Sequence, residues 1–495
     1  MKKLINFRPF AALALSFMAG VIIRFYFVKY LALAIAVFAV AVFLVLAAYE
    51  IIRKGQQKVG RAVLALLCAM FAVIGYVRLD LKLDKVNDKN IPSGTYTIVG
   101  EVKDISVKSG YKSIILTSCR YNGKAGGDLY IKNFDFDAGL YEVLEFNCEI
   151  AATDGENSFY TVYGAAYTGE KCKDIKTVGR SDSLFAKIKF KIDETFLSAG
   201  SDDASSVAIA IFTGDTSRMG FDEITTFRSI GIAHIFAVSG MHIGLVYVAI
   251  GGLLGKIIKK RKIYTPIICA AIILYAGVCG FSPSALRAAI ICICLAFSNM
   301  IGRKVDKLNS LSLAAFIVVM INPLDLFSVG FSLSFSISLA LIILLPPVKR
   351  ALNFLPDKIS ESLSAIIASE AVVVPLSVYY FGAFPLTAVV ANLILIPVVT
   401  VTFYLLWIFF ILCLILPVSP TILLFAPYML IDGTLIVSGY MANVPLFVNA
   451  FPTAMSAVYY PSLFISSDVV NAPKAVKYIT SGICFILFLL AAALF

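Results

Sequence analysis

The chain contains only two histidines, His234 and His242, and both lie in the nine-residue stretch HIFAVSGMH. Because histidine is a common metal ligand, a shared metal ion is the first chemistry to consider. On a regular helix, positions eight apart are separated by about 12 Å along the axis and by about 80° around it. One ion therefore cannot bind both histidines unless the helix breaks at Ser239-Gly240, and no HExxH-type spacing supplies further ligands. We expect no metal site and no cofactor.

Ser239 and His242 are three residues apart, which places them on one face of a helix. Such a pair provides a nucleophile and a base, so an intramembrane serine hydrolase is an alternative hypothesis. The neighbouring sequence, however, contains no third acid that would orient the histidine as in a catalytic triad. A serine that hydrogen-bonds a histidine is also a common way for two polar groups to satisfy each other in lipid. We therefore predict no catalytic residue.

The glycines of this stretch favour a third interpretation, a polar lining inside a tightly packed helix bundle. Gly240 and Gly244 form a small-xxx-small pair, which permits a close approach of helices. Ionisable groups inside a membrane protein are costly, and they usually face a bundle interior, a cavity or a pathway. The residues of this stretch that we predict to line or shape a path are His234, Ser239, Gly240 and His242.

Polar residues combine with apolar helices in four further stretches, GFSPSALRAAI, INPLDLFSVGFSLSFSISLA, SEAVVVP and ANLILIP. In GFSPSALRAAI, Ser282 and Pro283 predict a helix start, with Arg287 one turn inside the helix. Arg287 either extends to the outer membrane interface or points its guanidinium at an anionic substrate. A carboxylate or an amide precedes a proline in SEAVVVP and in ANLILIP, and broken helices with polar groups are typical of membrane pathways. The polar positions in these stretches are Arg287, Asn322, Asp325, Ser332, Ser334, Glu370 and Asn392.

The composition indicates which kind of structure must hold these groups. Of the 495 residues, 60% are hydrophobic, and the mean hydropathy is +0.89. Soluble domains contain about 45–50% apolar residues. Apolar runs recur along the chain, and several reach the ~20 residues that a membrane-spanning helix needs. We therefore predict a polytopic α-helical membrane protein.

The net charge of +11 is distributed beside the predicted helix ends. The basic clusters MKKLINFR and RKGQQKVGR adjoin the first three apolar segments, as the positive-inside rule predicts. Because two further apolar segments follow the first, we predict an uncleaved first helix rather than a signal peptide. Three transmembrane helices then occupy residues 1–79, and the polar insert at 80–181 lies outside the cytoplasm.

The insert has the sequence pattern of β structure. Polar and apolar residues alternate in YTIVGEVKDISV and YEVLEFNCEI, and Asn-Gly and Gly-Gly turns separate such runs. About five short strands in about 100 residues favour a small β-barrel similar to the oligonucleotide-binding (OB) fold. Because the charge of the insert is nearly balanced, DNA contact would use a local basic strip. Outside the cytoplasm a disulfide can persist, between two of Cys119, Cys148 and Cys172.

The remaining chain divides into two regions. Residues 182–230 are predicted to form amphipathic connecting helices. Within them, SLFAKIKFKIDETFL suits a helix that lies on the membrane face or one that binds a partner. Residues 231–495 are predicted to form a membrane channel domain of about nine helical segments.

The motif HIFAVSGMHIGLV resembles the signature of the ComEC family, the inner channel proteins of bacterial natural transformation. FTGDTSRM precedes it, and SPSALRA, NPLDLFSVGFSLSF and ANLILIPVV follow in the family's order, so the resemblance covers nearly the whole chain. It implies a channel for single-stranded DNA in the cytoplasmic membrane, with the β domain outside. The matching motif positions are Gly214, Asp215, His234, Ser239, Gly240, His242, Ser284, Arg287, Asn322, Pro323, Ser334 and Asn392.

The chain departs from the family pattern at one point. Many members continue into a metallo-β-lactamase-like domain, which is proposed to degrade the second strand, whereas this sequence stops at FLLAAALF. We therefore expect a separate nuclease, and the lack of a GxxxxGK[ST] loop predicts that any ATP-driven step uses a cytoplasmic ATPase as partner. Further expected partners are membrane lipid, a DNA receptor protein and other copies of the chain. A small-molecule or lipid transporter on the same scaffold is the other alternative.

Overall fold

The structure is a computed structural model with two N-terminal helices, a β domain and a large helical region. It describes residues 9–26, 59–86, 90–108, 111–134, 136, 138–153, 159–236, 240–302, 304–444, 447–448 and 451–470, and scattered positions from 473 to 487. The predicted second N-terminal helix falls within 27–58, which lies outside the described residues.

The two N-terminal helices, α1 (Pro9–Tyr26) and α2 (Val59–Val86), cross at very short range. A Cβ atom added at Gly20 would lie 1.8 Å from the carbonyl oxygen of Ala72, so only glycine permits this contact. Arg24 of α1 is almost fully buried, and its Nε donates to Asp80 of α2 over 2.7 Å. Helix α2 continues past the predicted boundary at residue 79.

The described residues of the β domain form six strands and one short helix. Their bounds are β1 (Gly94–Lys108), β2 (Tyr111–Tyr121), β3 (Lys124–Ala125), β4 (Leu129–Lys132), β5 (Glu142–Ala152), α3 (Phe159–Val162) and β6 (Tyr167–Arg180). Strand β1 pairs with both β2 and β5, β6 lies between β5 and β4, and β4 pairs with β2. Five strands therefore close into a ring, in which only the β4–β6 pairing is parallel.

The core of the β domain follows from the alternation of its strands. In β5, Leu144, Phe146, Cys148 and Ile150 are buried, while the residues between them are more exposed. This confirms the period-2 pattern expected for a strand with one face in a core. The inward side chains pack against Leu116, Leu129 and Tyr167 of neighbouring strands.

The helical region begins directly after β6. Its helices are α4 (Leu184–Leu197), α5 (Asp202–Thr213), α6 (Phe221–Ser229), α7 (Gly240–Ile257), α8 (Arg261–Val278), α9 (Pro283–Ile301), α10 (Lys307–Ile321), α11 (Val329–Ile343), α12 (Leu345–Ala351), α13 (Asp357–Phe381), α14 (Ala388–Ile415), α15 (Pro420–Leu423), α16 (Phe425–Ala442) and α17 (Thr453–Ser466). Short 3-10 turns occupy Ala233–Ile235 and Pro323–Phe327, and a two-stranded pairing joins β7 (Phe384–Pro385) to β8 (Phe447–Val448).

Several of these helices have the length and composition of membrane spans. Within the described ranges, four helices, α8, α9, α13 and α14, are long and apolar enough to cross a membrane. Helices α11 and α12 make a fifth span if the bent pair is counted as one. The chain therefore has the helix content of a multi-pass membrane protein.

The bend in this region lies at an unexpected place. Helices α13 and α14 run through Pro375 and Pro397 without ending, although the sequence pattern favours broken helices there. The bent pair is α11 and α12, which meet at 50° around Leu344. Pro346 and Pro347 follow at once, and because proline lacks a backbone N–H, the helix cannot continue its hydrogen bonds across this point.

Candidate functional site

The most distinctive polar group of the membrane region is the side chain of Arg287. Helix α9 begins at Pro283, and the Ser282 side chain accepts a hydrogen bond from the backbone N–H of Ala285, which confirms the predicted helix start. Arg287 follows one turn later and is only 6% exposed. Its guanidinium therefore lies in the interior of the helix bundle.

The guanidinium of Arg287 is held by serines of a neighbouring helix. Its Nη1 donates to the backbone carbonyl of Ser334 and to the hydroxyl of Ser338, both on α11. The Ser334 hydroxyl in turn donates to Ser284 Oγ over 2.8 Å. The Nε atom of Arg287 is buried and makes no hydrogen bond within the described chain. One N–H of this cation is thus left available for a ligand.

Helix α7 forms the other wall of this site. A Cβ atom added at Gly240 would lie 2.8 Å from Nη2 of Arg287, so the guanidinium occupies the space that any larger residue would need. The ring of Phe335 faces the same guanidinium at 5.9 Å. We call this group, contributed by α7, α9 and α11, the arginine cluster; its members are Gly240, Ser284, Arg287, Ser334 and Ser338.

The two histidines lie in different environments. His234 is exposed in the 3-10 turn, where its Nδ1 lies 3.2 Å from the carbonyl oxygen of Gly231. His242 is 1% exposed on α7, and its ring centroid is 4.9 Å from that of Phe403 on α14. Ser239, the predicted nucleophile of the hydrolase alternative, lies outside the described residues. His242 thus packs at the contact between α7 and α14.

A second polar pair joins α13 to α14. The side-chain amide of Asn392 donates to Glu370 Oε1 over 3.0 Å. Asn392 is 5% exposed, whereas Glu370 is only partly buried. The two residues, which the sequence pattern singles out separately, are thus in direct contact. We call them the glutamate–asparagine pair.

The motif around Asn322 and Pro323 builds a turn. Asn322 ends α10, Pro323 begins the 3-10 turn, and the Asn322 amide donates to the carboxylate of Asp325. Burial raises the pKa of Asp325 to about 6, although the hydrogen bond from Asn322 opposes this shift. Arg78 of α2 donates to the carbonyl oxygens of Met320 and Ile321 at 2.9 Å each, which caps the helix end.

Asp215, another predicted position, belongs to a buried ion cluster. Gly214 ends α5 with a φ of 77°, a conformation that glycine adopts without strain. The next residue, Asp215, lies 2.9 Å from the ammonium of Lys189, which also contacts Asp193 at 2.6 Å. Lys189 is fully buried. Burial raises the pKa of Asp215, but Lys189 and hydrogen bonds from Ser217 outweigh burial and hold it at about 2.

This ion cluster also contacts the β domain. The backbone N–H of Leu140 donates to Asp215 Oδ2 over 3.4 Å, and Arg218 lies 3.3 Å from Glu142 at the start of β5. Beside them, the hydroxyl of Tyr141 donates to the carbonyl oxygen of Gly277 over 2.6 Å. The segment after α5 thus fastens the β domain to the helical region.

Two of the three cysteines in the β domain lie side by side. Cys148 of β5 and Cys172 of β6 have Sγ atoms 2.7 Å apart. Cys119 is buried on β2. Among the three pairings that the sequence allows, the geometry favours Cys148 with Cys172.

Three residues that hold these sites together, Ser338, Lys189 and Asp193, are not among the predicted site positions. Ser338 follows Ser334 by four residues, and Asp193 follows Lys189 by four, so each pair shares one helix face. This spacing is a usable signal for both pairs. The segment SLFAKIKFKIDETFL is predicted to lie on the membrane face or to bind a partner, but the structure buries its Lys189 and Asp193.

Comparison with known proteins finds a family match over the region that holds these motifs. The family model described as Competence protein matches residues 211–467, just over half of the chain and all of the motif positions named above. Over 198 residues the chain is 25% identical to ComE operon protein 3 of Bacillus subtilis (strain 168), a stretch that covers 40% of this chain. The match spans only 25% of the length of that relative. No solved structure matches the chain.

Proposed function

This chain belongs to the competence protein family, and from that membership we propose that it carries single-stranded DNA across the cytoplasmic membrane during natural transformation. The helical region would form the conduit. The β domain, outside the cytoplasm, would receive the strand. A channel of this kind needs a path that is wet and partly cationic, because a DNA strand carries one negative charge per nucleotide.

The observation that carries the proposal is the buried charge of Arg287. No carboxylate of the described residues lies within ion-pair distance of its guanidinium. The guanidinium contacts serine oxygens and an aromatic ring instead. An ionisable group inside a membrane domain is costly and usually marks a pathway or a ligand. A guanidinium makes charge-assisted hydrogen bonds to phosphate, and its Nε–H is available for one. A passing phosphate would supply the missing countercharge.

Two features of the β domain support its proposed role as the receiving platform. Its five-stranded closed ring agrees with an OB-type barrel, a fold that binds oligonucleotides. Three exposed lysines, Lys171, Lys173 and Lys176, follow one another along β6. We propose that the strand first contacts the protein along this local strip, because the charge of the β domain as a whole is nearly balanced.

The proposal is tested by DNA uptake in cells that express the Arg287→Gln variant at the wild-type level. Hydrogen bonds to charged groups contribute about 1.5–3 kcal/mol, and each 1.4 kcal/mol corresponds to a factor of about ten. We therefore expect uptake of labelled DNA to fall by about 10- to 100-fold. Arg287→Lys keeps the charge but not the forked geometry, so its uptake should lie between those of Arg287→Gln and the wild type.

Arg261→Gln provides a matched control. Arg261 also lies in a predicted span, but it is exposed and donates to the carbonyl oxygen of Asn299 at the end of α9. Its loss should leave uptake close to the wild-type level. Full uptake by Arg287→Gln, or an equal loss in both variants, would contradict a path along the arginine cluster.

A further inference from the structure

The glutamate–asparagine pair lies well inside two membrane helices. Glu370 is near the middle of the 25-residue helix α13, and Asn392 is close to the start of α14. Glu370 also lies next to a carbonyl that its own helix leaves open. Pro375 cannot donate to the backbone oxygen of Ala371, and the Tyr459 hydroxyl of α17 donates to that oxygen instead, over 2.7 Å. Helix α13 therefore continues without a break beside the carboxyl group of Glu370.

Among the described residues, no cation forms an ion pair with Glu370. Helices α11, α14 and α17, which pack against α13, contain no aspartate, glutamate, lysine, arginine or histidine. Helix α12 carries two cations, of which Lys349 pairs with Glu361 toward the start of α13 and Arg350 pairs with Asp468. The phenols of Tyr380, Tyr459 and Tyr460 join α13 to its neighbours by donating to Ser332 and to the carbonyls of Ala371 and Val372. An ionised Glu370 would thus have no ion-pair partner among the described residues.

One atom of the pair, Oδ1 of Asn392, lacks a hydrogen-bond donor among the described residues. The Asn392 amide donates its N–H to Glu370 Oε1, but its own oxygen, Oδ1, is buried and accepts no hydrogen bond from any described residue. A carboxylic acid and a primary amide can exchange two hydrogen bonds, N–H to C=O and O–H to C=O. A proton on the second oxygen of Glu370 would supply the donor that Oδ1 lacks.

We propose that Glu370 and Asn392 form a proton-binding site at the contact between α13 and α14. When the proton is bound, the side chains are joined by two hydrogen bonds and carry no charge. When it leaves to water, Glu370 becomes a carboxylate, the O–H donor is lost and Oδ1 has no partner. Glu370 is partly exposed, so its carboxyl group is not sealed inside the helix bundle. Proton binding thus strengthens the link between the two helices.

Infrared spectroscopy of the purified full-length protein tests this site directly. The wild type should show the C=O stretching band of a protonated carboxylic acid at neutral pH, and Glu370→Gln should lack it. Glutamine can form the same pair of hydrogen bonds with Asn392, so the variant should keep its fold. Glu361→Gln on the same helix is the control and should leave the band unchanged, since Glu361 is exposed.

A second variant separates the pair from an isolated buried acid. Asn392→Leu removes the amide, so the C=O of Glu370 loses its hydrogen bond and the band should shift to higher frequency. Identical spectra of the wild type and Glu370→Gln at neutral pH would overturn the proposal, and so would an unshifted band in Asn392→Leu. The measurement needs no DNA, so its outcome is independent of the proposed channel function.

Discussion

The substitution Lys189→Met tests whether the buried ion cluster holds the β domain in place. Lys189 lies between two carboxylates, Asp193 at 2.6 Å and Asp215 at 2.9 Å, and its side chain is fully buried. Methionine has a similar length and no charge. The substitution therefore leaves two carboxylates together in a buried site, with no cation between them.

The expected cost follows from this burial. Removing one partner of a buried ion pair typically destabilises a protein by about 3–5 kcal/mol, because the remaining charge stays desolvated. The same helix provides a matched control, Lys191→Met. Lys191 lies 3.0 Å from Glu194, but these side chains are 57% and 72% exposed. An exposed helix pair of this kind contributes about 0.3–0.5 kcal/mol.

The single tryptophan of the chain reports on this region. Trp407 of α14 packs on Phe212 with ring centroids 4.6 Å apart, and Phe212 lies three residues before Asp215. Thermal unfolding followed by tryptophan fluorescence, at one scan rate in the same detergent, should show a much lower midpoint for Lys189→Met than for Lys191→Met. Adding Asp193→Leu to Lys189→Met removes one stranded carboxylate, so this double variant should recover part of the loss.

Two results would refute this reasoning. One is a Lys189→Met midpoint that is no lower than that of Lys191→Met, which would mean that the ammonium adds nothing beyond a surface pair. The other is a Lys189→Met midpoint that falls further when Asp193→Leu is added. In that case the loss would come from packing and not from uncompensated charge.

Two further predictions concern the arginine cluster and the β domain. Gly240→Ala places a methyl group 2.8 Å from Arg287 Nη2. Since overpacking costs about 1–3 kcal/mol, DNA uptake should fall about tenfold. The control is Gly255→Ala on the same helix, whose methyl group would have no atom within 4 Å and should leave uptake unchanged. Cys148 and Cys172, with sulfurs 2.7 Å apart, should form a disulfide in oxidised protein. Peptide mapping without reductant should recover that pair and leave Cys119 free. A bridge to Cys119 would contradict the strand register.

The sequence pattern predicted the features that depend on neighbouring residues. The alternation in β5, the helix start at Ser282 and the polytopic membrane character are all confirmed. Each follows from local periodicity, capping or hydropathy, and these act over a few residues. The same rules indicated the polar positions of the helical region, because a polar residue in an apolar run is visible without any knowledge of its partner.

The partners of those polar residues could not be predicted. Asp215 contacts Lys189, which lies 26 residues earlier on α4, and Asn392 contacts Glu370 across the α13–α14 connection. Such contacts depend on where two helices cross, which periodicity does not determine. The helix bend was misplaced for a related reason. Pro375 leaves a carbonyl open, but Tyr459 from a distant segment satisfies it, so α13 remains continuous.

Helix α11 lies between the arginine cluster and helix α13, which carries Glu370, and its serines contact both. Ser334 and Ser338 bind the guanidinium of Arg287 on one side. Ser332 accepts a hydrogen bond over 3.0 Å from Tyr380 of α13, the helix that carries Glu370. Hydroxyl groups can bind a cation and a phenol without adding a charge that would compete for a passing anion or a proton. A serine-rich but uncharged α11 therefore suits a helix between the arginine that we propose to face an anion and the glutamate that we propose to bind a proton.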